Sequence, residues 1–108
     1  MEANDPVLTV TTTTSTREEA EMMAQRCVEE GFAACAQVAG PLTSIYRWQG
    51  EMHNELEWKI SFKTFGSLEA RLSKMVRELH SYDVPEILST RAEGVSEDYL
   101  DWMTSNLK

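Results

Sequence analysis

Only two cysteines, Cys27 and Cys35, occur among the 108 residues of this chain. They do not form a Cys-x-x-Cys pair, and no third or fourth Cys or His completes a zinc pattern. A copper chaperone built on Cys-x-x-Cys is thereby excluded. Both thiols read as small buried apolar residues in a reducing compartment rather than as a disulfide or a metal pair. Positive charge is also scarce: 10 Lys and Arg face 18 Asp and Glu, for a formal net charge of −8. That balance argues against a nucleic-acid backbone or an anionic membrane as partner. No apolar run approaches the roughly 20 residues needed to span a bilayer. The opening stretch Met1-Glu2-Ala3-Asn4-Asp5-Pro6 lacks the basic and apolar regions of a signal peptide. It is expected to be a flexible tail over residues 1–6 of a cytoplasmic protein, followed by a single domain over 7–108. No internal repeat and no low-complexity linker interrupts that domain. No nucleophile–base or acid–base pair stands at a recognisable spacing, so the chain reads as a binding protein and not as an enzyme.

What is present is patterned strongly. Residues 55–63 alternate without error, with Leu56, Trp58, Ile60 and Phe62 on one face and Glu55, Glu57, Lys59, Ser61 and Lys63 on the other. Period two marks a strand with one buried face. Upstream, Ser44-Ile45-Tyr46-Arg47-Trp48 runs into Gln49-Gly50-Glu51, a turn signal, so the two segments form a long hairpin. The β-branched run Val7–Thr12 reads as a first strand. Ser15 and Glu18 form an S-x-x-E capping box ahead of a helix whose stripe is Ala20, Met23, Ala24, Cys27 and Val28. Gly31 sits where a left-handed cap is needed. A second strand begins at Phe32 and is interrupted at Gly40-Pro41, where a bend or bulge is expected before pairing resumes at Thr43.

A second helix opens at Gly66-Ser67 and carries Leu68, Leu72, Met75, Val76 and Leu79 on its apolar stripe. The fourth strand is predicted over 84–91, because the residue before Pro85 is biased towards extended structure. Ser96 caps a last helix with Glu97 and Asp98 at its positive end and Tyr99, Leu100, Trp102, Met103 and Leu107 on its apolar face. The order is β-α-β-β-α-β plus a C-terminal helix, an α+β, ferredoxin-like split βαβ sandwich. Two helices cover one sheet face, which leaves the other wet in a monomer. Tyr46, Trp48 and Trp102 are more aromatic surface than one sheet–helix core absorbs, and large apolar patches mark interfaces. An oligomer with these three residues at its contacts is the expectation.

Four blocks carry a family resemblance: Ala33-Ala34-Cys35-Ala36, Ser44 to Glu51, His80-Ser81-Tyr82-Asp83-Val84-Pro85-Glu86-Ile87, and Asp98-Tyr99-Leu100-Asp101-Trp102. In this order the chain resembles the CutA family of divalent-cation tolerance proteins, from about Val7 to Leu107. The resemblance implies a compact, PII-like homotrimer in which long hairpins of neighbouring subunits pair edge to edge. It also implies a role in tolerance of, and response to, copper and other divalent ions. The metal residues proposed for bacterial members fall here on Thr12, Leu79 and His80, with Ser81 in the place of a proline. A copper ion binding site of that kind is depleted to one imidazole.

The candidate site residues follow. His80, at the end of the second helix, and Glu86 are candidate metal ligands for a weakly held divalent ion such as copper or zinc, and Tyr82 is the candidate ligand-cleft residue. His53, Glu55 and Glu57 share a strand face and could hold zinc or copper, but they read as a solvated face with Lys59 and Lys63 as partners for the two glutamates. Thr11–Ser15 precede a helix N-terminus and read as strand followed by cap. No cofactor is required on this reading. A PII-like small-molecule sensor is the alternative, and an acylphosphatase-like hydrolase comes third, because Arg17 lacks a glycine-rich phosphate cradle.

Overall fold

The computed structural model describes residues 5–108. Its sheet has four strands in the order β2-β3-β1-β4: β1 (Val7–Thr14), β2 (Cys35–Trp48), β3 (Glu51–Phe65) and β4 (Leu88–Arg91). Neighbouring strands are antiparallel throughout. Three helices complete the fold: α1 (Arg17–Glu29), α2 (Glu69–Leu79), which is entered through a 3-10 turn at Gly66–Leu68, and α3 (Glu97–Ser105). This is a mixed α+β fold with the element order that the hydrophobic periodicities predict. Of the expected tail, residues 1–4 lie outside the described residues. Pro6 accepts a 2.8 Å hydrogen bond from the Gly66 amide, and the Asp5 carboxylate accepts from the Ser67 amide.

The main core lies between the sheet and the stripes of α1 and α2. Leu8, Val10, Ile60 and Phe62 from the sheet meet Ala20, Met23, Cys27, Leu72 and Val76 from the helices. Cys27 is fully buried there, and burial pushes its thiol up to about 11. Cys35 is half-buried, and both cysteines are free. Val28, expected on the α1 stripe, is exposed at the edge of that contact.

The second face is less wet than expected. Met103 of α3 is fully buried against Val7, Ala34 and Phe65, with Leu100 and Leu107 packed around it. Tyr99 and Trp102 remain exposed and lean on each other, with centroids 5.5 Å apart.

Local signals were displaced by a residue or more in several places. The N-cap of α1 is Thr16, whose hydroxyl accepts from the Glu19 amide at 3.1 Å, and not Ser15. Thr16 and Glu19 repeat the same S/T-x-x-E spacing one residue on. Strand β2 starts at Cys35, three residues after the expected Phe32, because the Phe32 and Ala33 amides still bond back to Cys27 at the end of α1. Strand β4 covers only Leu88–Arg91, since the chain bends through Val84 and residues 85–87 pair with no strand.

The hairpin forms as the turn signal predicts. Trp48 pairs with Glu51, and Gln49 and Gly50 both have positive φ, 51° and 82°, as a two-residue type I′ turn requires. The interruption at Gly40-Pro41 is a bulge: Ala39 pairs with Lys59 and Leu42 with Glu57, so β2 spends one residue more than β3. A side chain on Gly40 would lie 2.6 Å from the Trp58 ring, so only glycine lets the indole close on the backbone here.

Candidate functional site

Directly paired residues of antiparallel strands share a sheet face. Before the bulge, Ala36 and Val38 face the helices with their partners Phe62 and Ile60. After it, the parity of β2 is reversed, so Leu42, Ser44, Tyr46 and Trp48 share the opposite face with Glu57, Glu55, His53 and Glu51. The extra residue thus brings the two aromatics of β2 onto the side of the sheet that carries Glu57. The Tyr46 ring stacks on His53 with centroids 5.1 Å apart and planes 11° apart.

The segment 80–87 supplies the opposing wall. It passes from one face of the sheet to the other around the end of β1, where β4, paired only with Leu8–Thr11, leaves the edge open. On the helix side His80 contacts Thr12, with Nε2 3.0 Å from the hydroxyl. On the far side the Tyr82 hydroxyl donates to Glu57 at 2.6 Å, and Glu86 accepts from the Thr11 hydroxyl at 3.3 Å. Glu19, at the third helical position after the Thr16 cap, turns its carboxylate to residue 81 instead of back to the cap and accepts from both the amide and the hydroxyl of Ser81 at 2.8 and 3.0 Å.

Between these walls lies a cleft of about 390 Å³. Tyr46 and Trp48 line it from β2, Glu57 from β3 and Thr13 from β1; Tyr82, Asp83, Val84 and Glu86 line it from the crossing segment. Glu57 is only 8 % exposed. The expected solvated face therefore holds at Glu55 and fails at Glu57, because the crossing segment folds over that position. Lys63, expected to serve a glutamate, donates instead to Gln37 at 3.1 Å. Burial, reinforced by the adjacent Glu57 carboxylate, raises the Tyr82 hydroxyl well above the ordinary tyrosine range.

His80 is not in the cleft lining. Its side chain is fully buried behind the wall. Nδ1 accepts from the Tyr82 amide at 3.2 Å, so the neutral ring carries its proton on Nε2 and donates to Thr12. Burial holds the imidazole below its usual pKa, opposed by the Glu19 carboxylate 3.9 Å from Nδ1, by a hydrogen bond to the Thr13 backbone and by Glu57. In this state the ring has no spare lone pair for a metal. Among the described residues, no group of three or more His, Cys, Asp or Glu is placed to hold an ion.

Four of the sequence-predicted residues, Tyr46, Trp48, Tyr82 and Glu86, therefore come together at one cleft. His80 braces its wall from behind, and Trp102 lies on α3, outside the lining. Glu19 was missed as a site-building residue, and Glu57, weighed with His53 and Glu55, reads from the sequence as part of a solvated face. The period-two pattern puts Glu57 on a polar face, and only the path of residues 80–87 buries it.

Comparison with known proteins agrees with this architecture. The family described as CutA1 divalent ion tolerance protein matches residues 8–106. The divalent-cation tolerance protein CutA of Thermus thermophilus is 39 % identical over 94 residues, covering 87 % of this chain and 91 % of that protein. The chloroplastic CutA protein of Arabidopsis thaliana is 32 % identical, covering 95 % of this chain and 57 % of its own longer sequence. The solved structure of CutA from Synechococcus elongatus matches with a TM-score of 0.91 at 38 % identity, covering 100 % of this chain and 95 % of that one. The chain belongs to the CutA1 divalent ion tolerance family.

Proposed function

We propose that this chain acts in divalent-ion tolerance as a homotrimer that holds a divalent cation or a small ligand weakly in clefts at subunit junctions, and that it catalyses no reaction. The observation that carries this reading is the distal half of the hairpin. Its Ile45, Met52 and Leu56 are 57–65 % exposed, and β3 has no partner on its other edge before Trp58. Exposed apolar surface with an open strand edge is a surface built to be covered. A neighbouring hairpin pairing along the open edge of β3 would cover both faces there and close the cleft from outside, with Tyr46 and Trp48 at the contact and Trp102 meeting a neighbour elsewhere.

Weak metal binding is supported by the site itself. The position implied for a soft ligand is Thr12, whose hydroxyl is already bonded to His80, and the His80 ring has both nitrogens engaged. Glu86 remains as an oxygen donor for a hard ion. A sensor for an anionic metabolite is disfavoured by a lining with three carboxylates and no Lys or Arg. The Arabidopsis relative is named chloroplastic, and among the described residues no helix is long and apolar enough to cross a membrane.

Native mass spectrometry of the metal-free protein, with and without added Cu²⁺ and Zn²⁺, tests both parts. The expected species has three times the 12.3 kDa chain mass. A monomer at micromolar concentration would overturn the assembly. Submicromolar Cu²⁺ affinity that vanishes in His80→Ala, measured by calorimetry, would overturn the weak-metal part.

A further inference from the structure

We propose that the cleft between the distal hairpin and residues 80–87 takes a small organic cation of the alkylammonium class. This deepens the small-ligand part of the reading above and rests on it. The first observation is the charge of the lining. Glu57, Asp83 and Glu86 contribute carboxylates, and no Lys, Arg or His is present among the lining residues. The second is the state of Glu57. It is 8 % exposed, and one carboxylate oxygen accepts the Tyr82 hydroxyl. Among the described residues Glu57 joins no ion pair, and its other oxygen is open to the solvent of the cleft, since no buried side-chain oxygen is left without a partner. Buried carboxylates are costly unless a positive partner answers them. Among the described residues no Lys or Arg pairs with Glu57, so a cation entering the cleft would meet a carboxylate held only by the Tyr82 hydroxyl.

The third observation selects the kind of cation. Tyr46, Trp48 and Tyr82 line the same space. Aromatic faces attract weakly hydrated cations, Trp most strongly, and do little for a small hydrated metal ion. A divalent metal would need several ligand atoms converging within coordination distance, and no such group exists among the described residues. An alkylammonium instead satisfies both halves of the lining, with its charge at Glu57 and its methyl or methylene surface against the rings. A volume of about 390 Å³ suits a small molecule rather than a bare ion.

The test titrates the full-length chain with tetramethylammonium and with tert-butanol, a neutral molecule of similar bulk, following the tryptophan and tyrosine ring resonances. Tetramethylammonium is expected to shift the Trp48 and Tyr82 signals saturably and to bind at least about tenfold more tightly than tert-butanol. Glu57→Gln, which keeps an acceptor for the Tyr82 hydroxyl, is expected to lower that affinity about tenfold. Should this variant fail to fold, Glu86→Gln is expected to lower it severalfold. Equal affinity for the neutral molecule, no saturable shift, or unchanged affinity in the folded variants would overturn the proposal. So would a Glu57→Gln protein whose subunits dissociate more readily while its cation affinity is unchanged, which would make a basic side chain of a second copy the occupant. Native mass spectrometry of the same samples separates the two readings. A trimer whose cleft responds to Zn²⁺ but not to tetramethylammonium overturns this inference alone, and a monomer that responds to neither overturns both.

Discussion

In the proximal half of the β2–β3 hairpin, Ile60 and Phe62 have no exposed surface; in the distal half, Leu56 and Met52, further along the same alternation, are 57 % and 61 % exposed. The strands are continuous, and the residues share a face. What changes is the cover. The stripes of α1 and α2 lie over the proximal half, where β3 also pairs with β1 from Trp58 to Phe65. Beyond Trp58 the hairpin pairs only with itself. Alternation therefore specifies which face an apolar residue takes, and the reach of neighbouring elements decides whether that face is dry. Proximal residues are expected to govern folding of the subunit, and distal ones its association.

The sharpest way to break this comparison is Phe62→Ala. Truncating a fully buried aromatic is expected to cost about 3–5 kcal/mol, enough to unfold much of the population of a domain this size. Urea denaturation followed by circular dichroism measures it, and a loss below about 1 kcal/mol would mean that the core repacks freely. Next comes Trp48→Ala, on the distal half. It is expected to weaken subunit association by about 2 kcal/mol or more while leaving secondary structure intact. Subunit exchange against the unmodified protein is the measurement, and an unchanged exchange rate would make Trp48 a surface residue.

Smaller effects sharpen the proximal side. Thr16→Ala is expected to cost about 1 kcal/mol through loss of the α1 cap, and Ser15→Ala close to nothing, as compared by thermal unfolding. The reverse order would restore Ser15 as the cap. The last test is pH. His80 is held neutral by burial, with its folded pKa below the ordinary value of 6.5. Its contribution is therefore fully present above about 6.5, and stability falls as the pH drops through that value towards the lower folded one. His80→Gln should flatten this part of the profile. An identical slope in the variant would assign the acid sensitivity to other groups.

The fold was legible in the sequence because its signals are periodic and redundant. The strand at 55–63, the turn at Gln49-Gly50 and the stripes of α1 and α2 each pointed to the same element order. The cap of α1 was misplaced because Ser15–Glu18 and Thr16–Glu19 offer the same spacing, and a pattern cannot choose between overlapping copies of itself. The site was legible only in part. Tyr46, Trp48, Tyr82 and Glu86 stand out by type, and the structure brings them to one cleft. Glu57 and Glu19 do not stand out. Each owes its place to the path of residues 80–87 across the end of β1, a tertiary feature with no local period.

The bulge at Gly40-Pro41 has a consequence for how such chains can diverge. It behaves as a parity bit for the strand beyond it. Removing one residue between Ala39 and Leu42, or adding one, would keep the ladder nearly intact while turning Tyr46 and Trp48 to the opposite face of the sheet from Glu57. Adding two would leave every side chain on its present side. Length changes at this corner are therefore tolerated in even steps and filtered in odd ones. The count of residues between positions 39 and 42 should vary less among chains that keep this cleft than the identity of the residues themselves, Gly40 excepted.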